Sequence, residues 1–131
     1  MAKRIDQQLA GKINKRFEKE GIGLDVLRTK SLRVFFNSGI TERIKGLIHL
    51  LTEIGITENV IPIALLIWNH HLNGANPWIT AKKSIDKDGK ITFHNYPDKV
   101  TITVKTIKKS TIQRWARAVQ IIEEMKLNEC K

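Results

Sequence analysis

The apolar residues of this chain repeat with two different periods, and the change between them restricts the fold more than any other feature. Before Pro77, apolar residues recur every three or four positions, as on one side of an α-helix. From residue 78 to residue 107 they alternate with polar residues, as in half-buried strands joined by tight turns. A helical pattern returns after residue 108. The order of helices, strands and a closing helix predicts an α+β fold.

The first predicted helix covers residues 4–20 and has one apolar side. That side is formed by four residues at intervals of four: Ile5, Leu9, Ile13 and Phe17. Gly21 and Gly23 then act as stop signals, because glycine is common just past the end of a helix. The residues that follow, 24–36, fit either a short helix followed by a strand or one broken helix.

Two further helices are predicted close together, over residues 41–54 and 58–73. Thr41 can cap the first of them, and Gly55 ends it. The second is apolar on all sides from Ile61 to Trp68. Such a helix is buried on more than one side or contacts a second copy of the chain.

Three antiparallel strands are predicted in "WITAKKSI", "KITFHNY" and "KVTITVKTI", joined by the turns "DKDG" and "PD". Asp86 and Asp88 are explained by turn formation rather than by calcium binding. Val100, Ile102 and Val104 share one face of the last strand, so we expect a three-stranded meander that covers the core on one side.

A closing helix is predicted after the strands, with Ser110 or Thr111 as its cap. Its core-facing stripe is formed by Ile112, Trp115, Val119 and Ile122, and widened by Ala118, Ile121 and Met125.

The length of 131 residues and a hydrophobic content of 41% favour one domain, residues 1–131. The single cysteine, Cys130, excludes a disulfide framework within one chain and favours a reducing compartment. The longest apolar run, residues 60–68, is too short to span a bilayer, and the N-terminal segment lacks the apolar core of a signal peptide. We therefore expect a cytoplasmic protein with no membrane partner.

The charge of the chain is strongly positive. Its 23 lysine and arginine residues exceed its 13 acidic residues, which gives a net charge of +10. A positive field attracts polyanions, so nucleic acid is the expected partner. The excess is concentrated in residues 1–33 and 79–110, while residues 34–78 are nearly neutral.

Three basic segments are candidates for contact with nucleic acid. The first helix contributes Lys12, Lys15, Arg16 and Lys19, which can hold phosphates without reading sequence. The hairpin "AKKSIDKDGK" contributes Lys82, Lys83, Lys87 and Lys90. The start of the closing helix contributes Lys108, Lys109, Ser110, Thr111, Gln113, Arg114 and Arg117, which are side chains of the types that contact phosphates and base edges. Each segment also has an interpretation that involves no nucleic acid. The first helix can have a solvated charged face, the lysines of the hairpin can protect its edge against sheet-to-sheet aggregation, and the closing helix can simply pack on the core.

The stretch "KSTIQRWAR", residues 109–117, resembles the second helix of helix-turn-helix domains, in which a Ser/Thr-rich start leads into an Arg-Trp pair. That family places a helix and a glycine-containing turn just before it, whereas here the β-branched "VTITVKTI" predicts a strand. An atypical winged helix-turn-helix is the alternative arrangement, with residues 41–54 and 58–73 as the helix pair and the lysine-rich hairpin as the wing. The second of these helices offers a DNA groove few polar groups: Asn59, Asn69, His70 and His71.

No catalytic or metal site is predicted, and no cofactor is required. The adjacent His70 and His71 lie about 100° apart on a helix and do not converge on a metal ion. Asp98 with Glu124 and Lys126 spells the Asp…Glu-x-Lys signature of restriction-type nucleases, in which the Glu-x-Lys unit lies on a strand. Here that unit falls on a helix, where positions two apart diverge by about 200°.

The sequence therefore predicts a non-catalytic DNA-binding protein, a transcription regulator or an accessory factor, that grips the phosphate backbone of double-stranded DNA. The apolar helix suggests a homodimer, which would present two half-sites to a palindromic target. The alternatives are an RNA-binding protein, a basic protein-interaction or inhibitor module, and a small nuclease. An RNA-binding surface would rely on Trp78, Phe93 and Tyr96 for base stacking.

Overall fold

Helices pack together around a core that a small antiparallel sheet covers on one side, in the part of the chain that the computed structural model describes, which is residues 4–39, 42–71, 83–86, 89–93 and 100–129. The helices are α1 (Gln7–Lys19), α2 (Lys30–Ser38), α3 (Glu42–Glu53), α4 (Val60–His71) and α5 (Lys109–Glu129). The strands are β1 (Lys83–Ile85), β2 (Lys90–Phe93) and β3 (Val100–Thr103), and a short 3-10 helix, Val104–Thr106, follows β3. The predicted order of helices, a small antiparallel sheet and a C-terminal helix is confirmed at this level.

Helix α1 begins three residues later than predicted because Asp6 caps it. The Leu9 amide donates to Asp6 Oδ1 at 2.8 Å, which satisfies one of the amides that a helix start leaves without a partner. The helix ends at Lys19, and Gly21 follows with a φ of +66°, a conformation that favours glycine. The predicted apolar stripe, Ile5, Leu9, Ile13 and Phe17, is buried.

Residues 24–36 form a turn and then α2, so this segment contains no strand. The turn is tied to α1 by Asn14, whose side-chain oxygen accepts from the Val26 amide at 2.8 Å. The Asn14 side-chain amide donates to Asp25 Oδ1 at 3.0 Å. These bonds fix the start of α2, whose Leu32 and Phe35 are buried in the core.

Helix α4 is the central helix of the described fold. Its residues from Pro62 to Trp68 are all buried, and it packs against α2, α3 and α5. Burial within one chain therefore accounts for the all-round apolar pattern that suggested a dimer. The predicted end of this helix, residues 72 and 73, and the predicted cap of α3, Thr41, lie outside the described residues.

The strands pair in the order β1-β2-β3, and both pairs are antiparallel. Between β1 and β2, the Asp86 carboxylate accepts from the Lys90 amide at 3.0 Å, as expected of a turn former. Asp88 lies outside the described residues. Ile91 and Ile102 are opposite each other in the register and both are buried, so one face of the sheet covers the core.

The last strand ends earlier than predicted. Val104 leaves β3 for the 3-10 helix, although its side chain is still buried. Helix α5 also begins earlier than predicted, at Lys109, so Ser110 and Thr111 lie in its first turn and do not cap it. The Lys108 carbonyl accepts from the amides of Thr111 and Ile112, which places Lys108 at the cap position.

The core-facing stripe of α5 is confirmed. Trp115, Ala118, Val119, Ile121 and Ile122 are buried, and Ile112 and Met125 are half-buried against the core. This stripe packs on α4 and α1. Within the described ranges, no helix is long and apolar enough to cross a membrane.

Candidate nucleic-acid interface

The predicted basic residues separate into those held in ion pairs and those that face solvent. On α1, Lys12, Lys15 and Lys19 are exposed, while Arg16 is half-buried. Arg16 Nε lies 2.7 Å from Glu20 Oε2, and its Nη2 lies 3.7 Å from Glu124 Oε2 on α5. Arg16 therefore contributes to the junction between the two helices.

Arg117 of α5 pairs with the same carboxylate as Arg16, that of Glu20. Its Nε and Nη2 donate to the two carboxylate oxygens of Glu20 at 2.7 and 3.2 Å, and its Nη1 donates to the Gln120 side chain at 3.2 Å. The Arg117 hydrogen bond, followed by that of Arg16, lowers the pKa of Glu20 below its ordinary value. The hydrogen bond from Arg117 to Glu20 in turn raises the pKa of Arg117. The structure places both arginines in a local ion-pair network.

The start of α5 has a different electrostatic environment. Lys108, Lys109 and Arg114 are exposed, as are Ser110 and Gln113, and Thr111 is half-buried. Within the described part of the chain, none of the three cations has a carboxylate within 4 Å. No carboxylate of the described residues therefore neutralises their positive charge in a direct ion pair, and a helix N-terminus adds outward-facing amides and a partial positive charge.

A groove of about 540 Å³ lies beside this helix start, between α4, β3, the 3-10 helix and α5. Its polar lining consists of His70, Thr101, Thr103, Thr106, Thr111 and Arg114. Its apolar lining consists of Leu66, Ile102 and Ile107. We call it the threonine groove. The His70 ring meets the buried Trp115 ring edge-on, with centroids 5.7 Å apart, and this contact holds the imidazole at the groove.

The backbone of β3 adds hydrogen-bonding groups to the same groove. The Val104 amide donates to the Gly89 carbonyl at 2.9 Å, so at Val104 the backbone amide points toward the β2 side. Along an antiparallel strand, the backbone groups of successive residues point alternately toward and away from the neighbouring strand. The amide and carbonyl of Ile102, two residues before Val104, therefore also point toward β2. The amides and carbonyls of Thr101 and Thr103 consequently face away from β2.

One of these outward groups is already used. The Thr106 hydroxyl donates to the Thr103 carbonyl at 2.8 Å. Among the described strands, β3 pairs with β2 only. Among the described residues, the edge therefore presents the amides of Thr101 and Thr103, the Thr101 carbonyl and the second lone pair of the Thr103 carbonyl.

The lysine-rich hairpin is described only in part. Lys90 is exposed and lies opposite Thr103 in the register. Lys82 and Lys87 lie outside the described residues, and the side chain of Lys83 does as well. Lys90 lies on the outer face of the sheet, which also carries Thr101 and Thr103, but it does not line the groove.

The nuclease signature is not assembled by the described residues. Glu124 lies near Arg16, whereas the Lys126 ammonium donates to the Phe36 carbonyl and lies 5.7 Å from the centre of the Phe36 ring. The two side chains contact different neighbours, and Asp98 lies outside the described residues. Elsewhere in those residues, no group of three or more His, Cys, Asp or Glu side chains could hold a metal ion.

Sequence reasoning missed the groove residues Thr101, Thr103 and Thr106, and it named His70 only as a polar group of the predicted winged helix-turn-helix. The alternation in "VTITVKT" predicted the outward face of the last strand, and its repeated threonines were a signal that this face carries hydroxyl groups. The approach of His70 from α4 depends on tertiary packing, and no local pattern in the sequence indicates it.

Comparisons with protein-family models, with curated proteins and with solved structures found no match for this chain.

Proposed function

We propose that the protein binds nucleic acid without catalysis, with double-stranded DNA as the favoured form, through the start of α5. The observation that carries this proposal is the group of exposed cations Lys108, Lys109 and Arg114, which have no acidic partner within 4 Å among the described residues. Cations of this kind can neutralise phosphates and release condensed counterions, which favours binding to any polyanionic backbone.

The outer face of the sheet favours backbone contact over base stacking. Its described side chains are Lys90, Thr92, Thr101 and Thr103, none of which is aromatic. Stacking of unpaired bases normally requires aromatic side chains or arginine planes. A duplex phosphate backbone is therefore a better match for this surface than a splayed single strand of RNA.

The proposed docking helix is α5 and not α4. In a winged helix-turn-helix arrangement of α3, α4 and the hairpin, α4 would enter the major groove of DNA. From Pro62 to Trp68 that helix is buried, and a buried helix has no face to offer the bases. The cationic start of α5 is exposed, so we propose this end of α5 as the contact.

Fluorescence anisotropy with a labelled DNA duplex tests the proposal. Affinity is measured between 50 and 200 mM salt for the wild type and for the Lys108→Ala/Lys109→Ala variant. Each lost phosphate contact should reduce the slope of log K against log salt by about 0.9, so the double variant should lower its magnitude by about 1.8.

The matched control removes two charges elsewhere. Lys30→Ala/Lys45→Ala changes exposed lysines on α2 and α3 and should leave the slope within about 0.5 of the wild type, since neither residue lines the proposed contact. A wild-type affinity that does not depend on salt would eliminate the proposal. Tighter binding to structured RNA than to duplex DNA in competition would overturn its preference for DNA.

A further inference from the structure

The threonine groove carries a pattern of groups that goes beyond non-specific contact with a phosphate backbone. Its lining brings together residues with hydrogen-bond donors from two elements, Arg114 and Thr111 on α5 and Thr101 and Thr103 on β3, beside the outward amides of that strand. A groove whose lining is rich in donors and includes a cation is complementary to an anion that has several acceptor oxygens.

The remaining walls are apolar. Leu66 lines the groove but is already buried, while the half-buried Ile107 side chain and the exposed His70 ring, which contacts Trp115, line it beside the polar groups. Inorganic phosphate alone would leave the accessible parts of Ile107 and His70 exposed to water. A ligand that joins a phosphate to a flat or apolar body would bury them and gain free energy from doing so.

The volume agrees with such a ligand. About 540 Å³ lies within the range of roughly 300 to 1,000 Å³ that small-molecule sites occupy. A nucleoside monophosphate combines three acceptor oxygens on its phosphate with a ribose and a planar base. Its dianionic phosphate would bond to Arg114 and the threonines, while its base would contact Ile107 and the His70 ring.

An added peptide strand is a poorer match for the same edge. Strand addition needs donors and acceptors in alternation along the backbone. On β3 the Thr103 carbonyl already accepts from the Thr106 hydroxyl, and the chain leaves the four-residue strand for the 3-10 helix at Val104, so a peptide would meet only a short edge. The short edge and the neighbouring Arg114 favour an anion over a peptide backbone.

We propose that the threonine groove binds a nucleoside monophosphate unit, with Arg114, Thr101 and Thr103 holding the phosphate. The unit has two sources, a free mononucleotide or the phosphorylated end of a nucleic-acid strand. In the second case the inference rests on the proposed function, and the groove would add a preference for phosphorylated ends to the general contact made by Lys108 and Lys109.

Isothermal titration calorimetry of the full chain tests the site with dAMP, with deoxyadenosine and with inorganic phosphate. We expect dAMP to bind at least tenfold more tightly than either fragment, because only dAMP contacts both the donors and the apolar walls. Arg114→Gln should weaken dAMP binding at least tenfold, since charge-assisted hydrogen bonds are the strongest in the proposed set.

Two further variants separate binding from folding. Thr101→Val/Thr103→Val keeps the β-branched shape of the strand and removes only the hydroxyls, so urea denaturation should show an intact fold while dAMP binding falls. Arg28→Gln removes one charge from a side chain that is 90% exposed and does not line the groove, and dAMP affinity should stay within twofold of the wild type.

Duplexes that carry a 5′-phosphate or a 5′-hydroxyl end distinguish the two sources. Tighter binding of the phosphorylated duplex, lost in Arg114→Gln, supports the strand-end form. Binding of dAMP without any preference between the duplexes supports the free-nucleotide form and leaves the salt-dependent DNA contact as a separate question. If dAMP binds no better than deoxyadenosine and the duplexes also bind equally, the inference is wrong, even if Lys108 and Lys109 still control binding to DNA.

Discussion

Replacement of Asn14 with alanine should destabilise the fold, because Asn14 connects α1 to the turn before α2. Its oxygen accepts from the Val26 amide at 2.8 Å, and its amide donates to Asp25 at 3.0 Å. Val26 is completely buried, so water cannot replace the lost acceptor without a rearrangement of the turn. The same connection runs toward the interface, since Gly23 of this loop lies beside Arg114.

The size of the effect follows from these two bonds. A buried amide left without an acceptor costs about 1 to 3 kcal/mol, and a lost hydrogen bond to a carboxylate costs about 1 kcal/mol more. We therefore expect Asn14→Ala to lower the free energy of unfolding by about 3 kcal/mol. For a chain of this length, that corresponds to a fall in the melting temperature of about 10 °C.

Urea denaturation followed by tryptophan fluorescence measures this loss, because Trp68 and Trp115 are fully buried and report on the core. The control is Lys15→Ala, which truncates the next residue of α1, an exposed one, and should change stability by no more than about 0.5 kcal/mol. A loss below about 1 kcal/mol for Asn14→Ala would show that the turn does not depend on these bonds and would refute the reasoning.

The hairpin turn and the helix junction give two further predictions. Gly89→Ala should lower the free energy of unfolding by about 1 to 2 kcal/mol in the same denaturation assay, because Gly89 has a φ of +78° and a new Cβ would lie 3.3 Å from Lys105 Cγ; unchanged stability would contradict the strained turn. The lowered pKa of Glu20 means that its stabilising effect is present above the ordinary glutamate pKa of about 4.3 and is lost as pH falls through the lowered value. Glu20→Gln should therefore be less stable than the wild type at pH 7, and denaturation at a series of pH values should show this difference shrinking in acid; a difference that stays constant down to pH 2 would contradict the assignment.

The elements with a regular apolar pattern were predictable from the sequence. The stripes of α1 and α5 repeat at helical spacing, and burial follows the repeat closely in both. The segment that became α2 was ambiguous because "SLRVFF" mixes β-branched and aromatic residues with no clear period. Its helix is positioned by the Asn14 bonds to the preceding turn, and Asn14 gives no local sign of that role.

The end of β3 and the start of α5 differ from the prediction for a related reason. Apolar and polar residues alternate in the sequence through Val104, but the chain leaves the strand at that residue and forms the 3-10 helix Val104–Thr106. The helix that follows starts at Lys109, where the carbonyl of Lys108 and not a serine or threonine side chain accepts the first bonds. Both boundaries depend on tertiary geometry that residue type alone does not specify.

Arg114 and Arg117 illustrate why a count of charges along the sequence could not locate the interface. They lie one turn apart on the same helix, yet Arg117 pairs with Glu20, which is 97 residues away in the chain, while Arg114 lines the threonine groove. The positive charge near the junction of α1 and α5 is therefore largely balanced by carboxylates, although that region is rich in arginine and lysine. The net charge of +10 can attract a polyanion from a distance, but the strength of the final contact depends on the cations that keep no acidic partner. The start of α5 is therefore the contact that we propose, and the arginines at the helix junction have a structural role.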